Sequence, residues 1–75
     1  MEQSFGKKAV GLSFNPSGNQ LVNNVKLAYA EAIDNINDLL QANIGNQELV
    51  AICEKAIQET ITAQMWAVKA ITWYG

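Results

Sequence analysis

From Gln20 to Trp73 the apolar residues return every three or four positions, and the pattern breaks once, at Asn43-Ile44-Gly45-Asn46. That spacing is the period of one face of an α-helix, so two long helices joined by a short turn are the framework of the chain. In the first stretch Val22, Val25, Tyr29, Ala32, Ile33, Ile36, Leu39 and Leu40 make the apolar face. Ser17, with Gln20 three residues later, reads as a capping box in which the hydroxyl takes an orphan backbone N–H and the amide reaches back to the cap. The first helix is therefore expected over residues 18–43, Gly45 is expected as its C-terminal stop, and Asn46 as the N-cap of a second helix over 47–73. Residues 1–17 hold the only proline, the pair Lys7-Lys8 and a stretch, Ala9 to Phe14, that alternates too weakly for a strand. They are expected as an extended arm that needs a partner surface.

The second helix is the more informative one. On a wheel at about 100° per residue it divides into three sectors instead of the two of a surface helix. Ala56, Thr60, Ala63, Ala67 and Ala70 form a stripe of small residues; Cys53, Ile57, Ile61, Val68 and Ile71 form a larger apolar stripe; Lys55, Glu59, Thr62, Trp66, Lys69 and Trp73 form a mixed one. One antiparallel partner covers only one apolar stripe. The other is left for a second chain, and small residues let helix backbones approach closely in a symmetric contact. The expected architecture is all-α: a single domain, a two-helix antiparallel hairpin with an extended N-terminal arm, assembled as a homo-oligomer.

Composition narrows the chemistry. The 75 residues contain no histidine, no arginine and one cysteine, Cys53. This excludes a Ser-His-Asp or Cys-His nucleophile, a zinc site of ordinary ligand spacing and a disulfide framework within one chain. No catalytic residue, metal or cofactor is expected, and the chain is not expected to be an enzyme. With a net charge of -2 and five lysines it lacks the many phosphate contacts on which duplex nucleic-acid binding rests, whereas a small anion is compatible with it. The opening residues Met1 to Lys8 lack the apolar run of a secretory signal and no stretch is long and apolar enough to span a bilayer, so a cytoplasmic protein with a reduced, buried Cys53 is expected.

Three clusters invite a functional reading. Glu31, Asp34 and Asp38 share one face of the first helix and are expected as a solvated surface. Trp66 and Trp73 frame Lys69 with Thr62 one turn before, so aromatic planes, a cation and a hydroxyl lie along one line. A nucleotide needs this set of groups, through stacking on the rings and a point charge for phosphate; the plainer alternative is that the tryptophans cover a seam between helices or subunits while Lys69 snorkels to solvent. Phe14-Asn15-Pro16-Ser17-Gly18-Asn19-Gln20 sets an aromatic, amides and a hydroxyl ahead of a helix N-terminus, where unpaired N–H groups favour phosphate, with Lys26 two turns on. The plainer alternative there is an ordinary cap with Phe14 as its hydrophobic anchor. On the wheel Lys26 leaves the main apolar face, and Asn15, Asn19, Gln20 and the lysine are expected to stay free after Ser17 has capped.

Two blocks, Ser13-Phe14-Asn15-Pro16-Ser17-Gly18 followed by Val25-Lys26, and Thr62-Ala63-Gln64-Met65-Trp66-Ala67-Val68-Lys69-Ala70, resemble the phage helical-hairpin family of anti-defence sponges. These small proteins sequester the cyclic nucleotide or cyclic ADP-ribose signals of bacterial CBASS and Thoeris immunity. The resemblance implies a hexamer of hairpins in the host-cell cytoplasm that holds cyclic di- or trinucleotides or cyclic ADP-ribose isomers between subunits and releases them intact. It implies ligand roles for Phe14 and Lys26, and for Lys69, four positions after Met65, near the end of the second helix; Asn15, Ser17, Thr62 and Trp66, in the two clusters read from the residues, complete the expected ligand-binding set. The chain departs from related sponges in having no arginine for bidentate phosphate recognition. A small structural or protein-binding helical oligomer without a small-molecule ligand is the competing expectation.

Overall fold

The computed structural model describes residues 3–15 and 18–73, which form three helices and no strand: α1 (Phe5–Ala9), α2 (Gln20–Ala42) and α3 (Gln47–Ile71). The chain is all-α, as the apolar period requires.

The expectation of an extended arm is corrected. Ser4 caps α1, its hydroxyl accepting from the Lys7 N–H at 3.1 Å. The helix then ends in a Schellman turn: Gly11, with φ of +63°, donates its N–H to the Lys8 carbonyl at 3.1 Å, and Leu12 donates to the Lys7 carbonyl at 3.0 Å. A glycine takes this left-handed conformation without the Cβ penalty of other residues. Val10 is buried against Ala30 and Ile33 of α2, with Ala9 and Leu12 packed around it. The surface that the arm needs is thus supplied by its own chain.

Gly6 explains how closely α1 lies on α2. A Cβ built on it runs into the carbonyl oxygen of Ala30 and comes within 2.8 Å of Asp34 Oδ1. Only a residue without a side chain lets the two backbones meet there.

The start of α2 also differs from expectation. Its N-cap is Asn19, whose side chain accepts from the N–H groups of Leu21 and Val22 at 2.9 and 3.2 Å. Ser17 lies outside the described residues, and Gln20, instead of reaching back to a cap, donates from Nε2 to Asn24 Oδ1 at 2.8 Å. At the other end α2 closes on Asn43, whose N–H bonds the Leu40 carbonyl at 3.0 Å and whose side-chain amide bonds the Leu39 carbonyl at 2.9 Å. Asn43 does the work expected of Gly45, which does not adopt a positive φ. Asn46 caps α3 as expected, accepting from the Leu49 N–H at 3.2 Å.

α2 packs against both other helices. Ala30, Ile33 and Leu40 of α2 meet Cys53 and Ile57 of α3 and Val10 beyond α1, and Ile33 is fully buried at the centre. Of the apolar stripes of α3, the one that begins Cys53 and Ile57 faces this core, while Ala63 and Ala70 of the small-residue stripe are exposed. The molecule is elongated, 45 × 27 × 13 Å, and exposes 5369 Å². A compact chain of this mass exposes about 4,500 Å². Among the described residues seven apolar side chains are buried and ten large ones are exposed, so much of the apolar content stays outside the core.

Candidate functional site

The helical repeat of α3 sets Trp66, Lys69 and Trp73 along one edge near its C-terminal end. Lys69 Nζ lies 5.3 Å from the Trp66 ring centroid and 5.9 Å from that of Trp73. Both distances are within the range of cation–π attraction, and both indoles are 65% exposed. The two rings, Lys69 and Ala70 line an open groove of about 450 Å³. A second groove of about 270 Å³, lined by Thr62, Met65, Trp66 and Lys69, adjoins it, so Trp66 and Lys69 stand on the ridge between the two. The arrangement offers flat apolar faces beside a positive point charge. The exposure of both rings excludes the alternative that they cover a seam between helices of the same chain.

Thr62 lines the second groove, yet its hydroxyl donates to the Gln58 carbonyl at 3.1 Å. It therefore has acceptor capacity to offer a ligand and its proton is spent on its own helix.

The second cluster is arranged differently from what the sequence suggests. Lys26 is buried, with 5% exposure, and its Nζ donates to the carbonyl oxygens of Gly11 at 3.0 Å and Phe14 at 2.7 Å. The expectation that this lysine leaves the apolar face is corrected, and the reason is its register. Val22, Lys26, Ala30 and Ile33, spaced four, four and three, form a buried stripe of α2. Phe14, by contrast, is 74% exposed and anchors nothing, while its ring stands 5.7 Å from the same Nζ. Asn15 is also occupied: its Oδ1 accepts from the Asn19 N–H at 3.3 Å and its Nδ2 donates to the Asn19 carbonyl at 2.9 Å. With Asn19 capping and Gln20 on Asn24, the amides expected to stay free are all engaged. Phe14 and Lys26 are brought together, Asn15 beside them holds the loop, and Ser17 lies outside the described residues.

Of the three acidic residues on α2, Glu31 and Asp38 are exposed, whereas Asp34 is corrected from a solvated position: its Oδ1 accepts from the Gly6 N–H at 2.6 Å. Lys55 pairs with Glu59 across one helical turn at 3.4 Å, and both ends are largely exposed. Neither Lys26 nor Lys69 pairs with a carboxylate among the described residues. Among them no group of three His, Cys, Asp or Glu is placed to hold a metal ion, and no helix is long and apolar enough to cross a membrane.

Two residues of the Thr62–Ala70 block, Gln64 and Met65, have structural weight beyond the ligand roles expected around them. Gln64 is buried at 5% exposure because it continues the Ile57 stripe seven residues on. Met65, one residue later, is exposed and forms a wall of the second groove.

No family model, curated protein or solved structure matches the chain.

Proposed function

We propose that this protein is a phage anti-immune sponge, which binds cyclic nucleotide second messengers and holds them intact. Cyclic di- and trinucleotides and cyclic ADP-ribose isomers are the ligand class, and the host cytoplasm is the place of action. One observation carries the reading. At two separate places a lysine ammonium lies 5.3–5.9 Å from the face of an exposed aromatic ring, with no carboxylate paired to it among the described residues. Bases stack on such rings at about 1–3 kcal/mol each, and a lysine without a counter-ion is attractive to phosphate. Lys69 with Trp66 and Trp73 is the open site. Phe14 with Lys26 is the second, where the ring is accessible and the ammonium lies beneath it. Sequestration needs affinity and copy number, and no acid, base or nucleophile.

The same reading includes assembly. An antiparallel hairpin of α2 and α3 leaves Ala63 and Ala70 exposed beside Met65 and Trp66. A homo-oligomer, with a hexamer as the state implied by the resemblance to hairpin sponges, would cover this surface and set the aromatic grooves at subunit boundaries. The exposed apolar side chains equally favour a protein-binding oligomer with no small ligand, and thermal denaturation separates the two. Ligand at one hundred times its dissociation constant adds about 2.7 kcal/mol of stability. A panel of cyclic di- and trinucleotides and cyclic ADP-ribose isomers is expected to contain at least one member that raises the melting temperature. A flat response to the whole panel would leave the protein-binding oligomer as the function.

A further inference from the structure

Residues 4–14 lie on α2 as a strap with two pins. At one end Asp34 Oδ1 holds the Gly6 N–H at 2.6 Å. At the other, Lys26 Nζ gathers the carbonyls of Gly11 and Phe14 at 3.0 and 2.7 Å. Between the pins Val10 is the one buried apolar side chain of the strap. Its helix has five residues, too few to persist without tertiary support. Such a segment is the kind that opens as a local unit while the rest of the fold stays closed.

The two pins differ in chemistry. Asp34 already sets a negative charge on an N–H at the start of a helix, so an anion arriving there must displace a charged acceptor. Lys26 is a cation held by two neutral carbonyl oxygens, and of its three N–H donors one has no partner among the described residues. A phosphate group brings full negative charge, and its Coulomb attraction to the ammonium comes on top of the hydrogen bond that a neutral carbonyl offers. An anion that reaches the spare donor can therefore take the other two.

We propose that the Lys26 pin is an anion-released latch: phosphate and the Gly11 and Phe14 carbonyls compete for the same ammonium, and the strap opens when phosphate wins. The inference rests on the Phe14–Lys26 site of the proposed function and adds a conformational step to it. Opening at Lys26 frees the turn that carries Phe14, so the ring can move onto a base while the lysine takes the phosphate. The Asp34 pin keeps the strap tethered.

Amide hydrogen exchange on the full chain tests this in two stages. In the free protein the N–H groups of Val10, Gly11, Leu12 and Phe14 are hydrogen-bonded within the strap. Lys26→Met removes the ammonium from both carbonyls, leaving Gly11 only the Phe14 N–H, and those four amides are expected to exchange about ten- to hundredfold faster, the size of effect of one or two lost charge-assisted bonds. Amides of α2 and α3 from Ile33 to Ile57 are expected to stay better protected than the strap amides in both proteins, Lys26→Arg to restore protection in part, and Lys55→Met to change nothing. In the second stage inorganic pyrophosphate is titrated into the parent protein and into Lys26→Met. The same four amides are expected to accelerate in the parent and to show no response in the variant. Equal protection of the strap amides and of the Ile33–Ile57 amides in the parent, or failure of Lys26→Met to fold, would overturn the strap as a separable unit. Unchanged strap amides in the parent with pyrophosphate would overturn the competition. A cyclic nucleotide that raises the melting temperature while those amides stay protected would overturn the latch and leave sequestration standing.

Discussion

The carboxylate of Asp34 on α2 accepts the backbone N–H of Gly6 on α1 at 2.6 Å, across 28 residues of chain. The first N–H groups of a helix have no partner inside it, and here the partner comes from the neighbouring helix. The bond forms because Gly6 has no Cβ to hold the two backbones apart. One glycine and one carboxylate thereby decide that the N-terminal segment packs as a helix.

Gly6→Ala is expected to destabilise the protein by about 1–3 kcal/mol, since the methyl group meets the Ala30 backbone and α1 must lift away. Gly45→Ala is the control. Nothing lies within 4 Å of a Cβ there and the backbone is not left-handed, so stability is expected to hold or to rise by about 0.4–1 kcal/mol. Urea midpoints of the two variants check the contrast, and equal effects would contradict it.

Asp34→Ala removes the acceptor for Gly6, with an expected loss of about 1–2 kcal/mol. Asp34→Asn keeps an oxygen in the same place and is expected to retain most of that stability. Chemical denaturation of the pair distinguishes a hydrogen-bonding role from the solvated role that the spacing of Glu31, Asp34 and Asp38 suggests. Identical stability in both variants and the parent would restore the solvated reading.

The two long helices were legible because their apolar residues recur with the helical period and because Asn46 is a strong cap. The strap was not, since its fold depends on contacts distant in sequence. Ser4 and Gly11 are local signals for a short helix, but five residues form one only when Val10 and Gly6 have α2 to rest on. Lys26 was misread for a related reason. On a wheel its charge argues for the solvent side, yet its register is that of Val22 and Ala30, and the carbonyls of Gly11 and Phe14 make burial tolerable. Trp66, Lys69 and Trp73 were legible from spacing alone, because their proximity is set within one helix.

Lys26→Met is therefore expected to cost about 1.5–3 kcal/mol of stability, through the lost charge-assisted bonds. Lys69→Met, which removes an exposed cation from two indoles, is expected to cost less than about 1 kcal/mol. Thermal melts read by circular dichroism test the ordering of the two. A reversal would contradict the assignment of Lys26 to the fold and of Lys69 to the surface.

Ala63 is exposed in the single chain, so Ala63→Leu is expected to leave an isolated subunit within about 0.5 kcal/mol of the parent. In an assembly packed through the small-residue stripe it adds bulk at each symmetric contact, at about 1–3 kcal/mol apiece. Multi-angle light scattering is expected to give a parent mass several times 8.2 kDa and a smaller mass for the variant. A parent that stays at 8.2 kDa at micromolar concentration would contradict assembly.

Calorimetric titration of the assembled protein and of Lys69→Met, with the cyclic nucleotide that raises the melting temperature most, tests the account at its centre. It predicts saturable binding to the parent and affinity about ten- to hundredfold weaker in the variant, as expected for a lost charge-assisted contact to phosphate. It also predicts a change in Trp66 and Trp73 fluorescence that follows the same isotherm. Absence of binding by any cyclic nucleotide would contradict sequestration, and equal affinity of parent and Lys69→Met would contradict the placing of the site on α3.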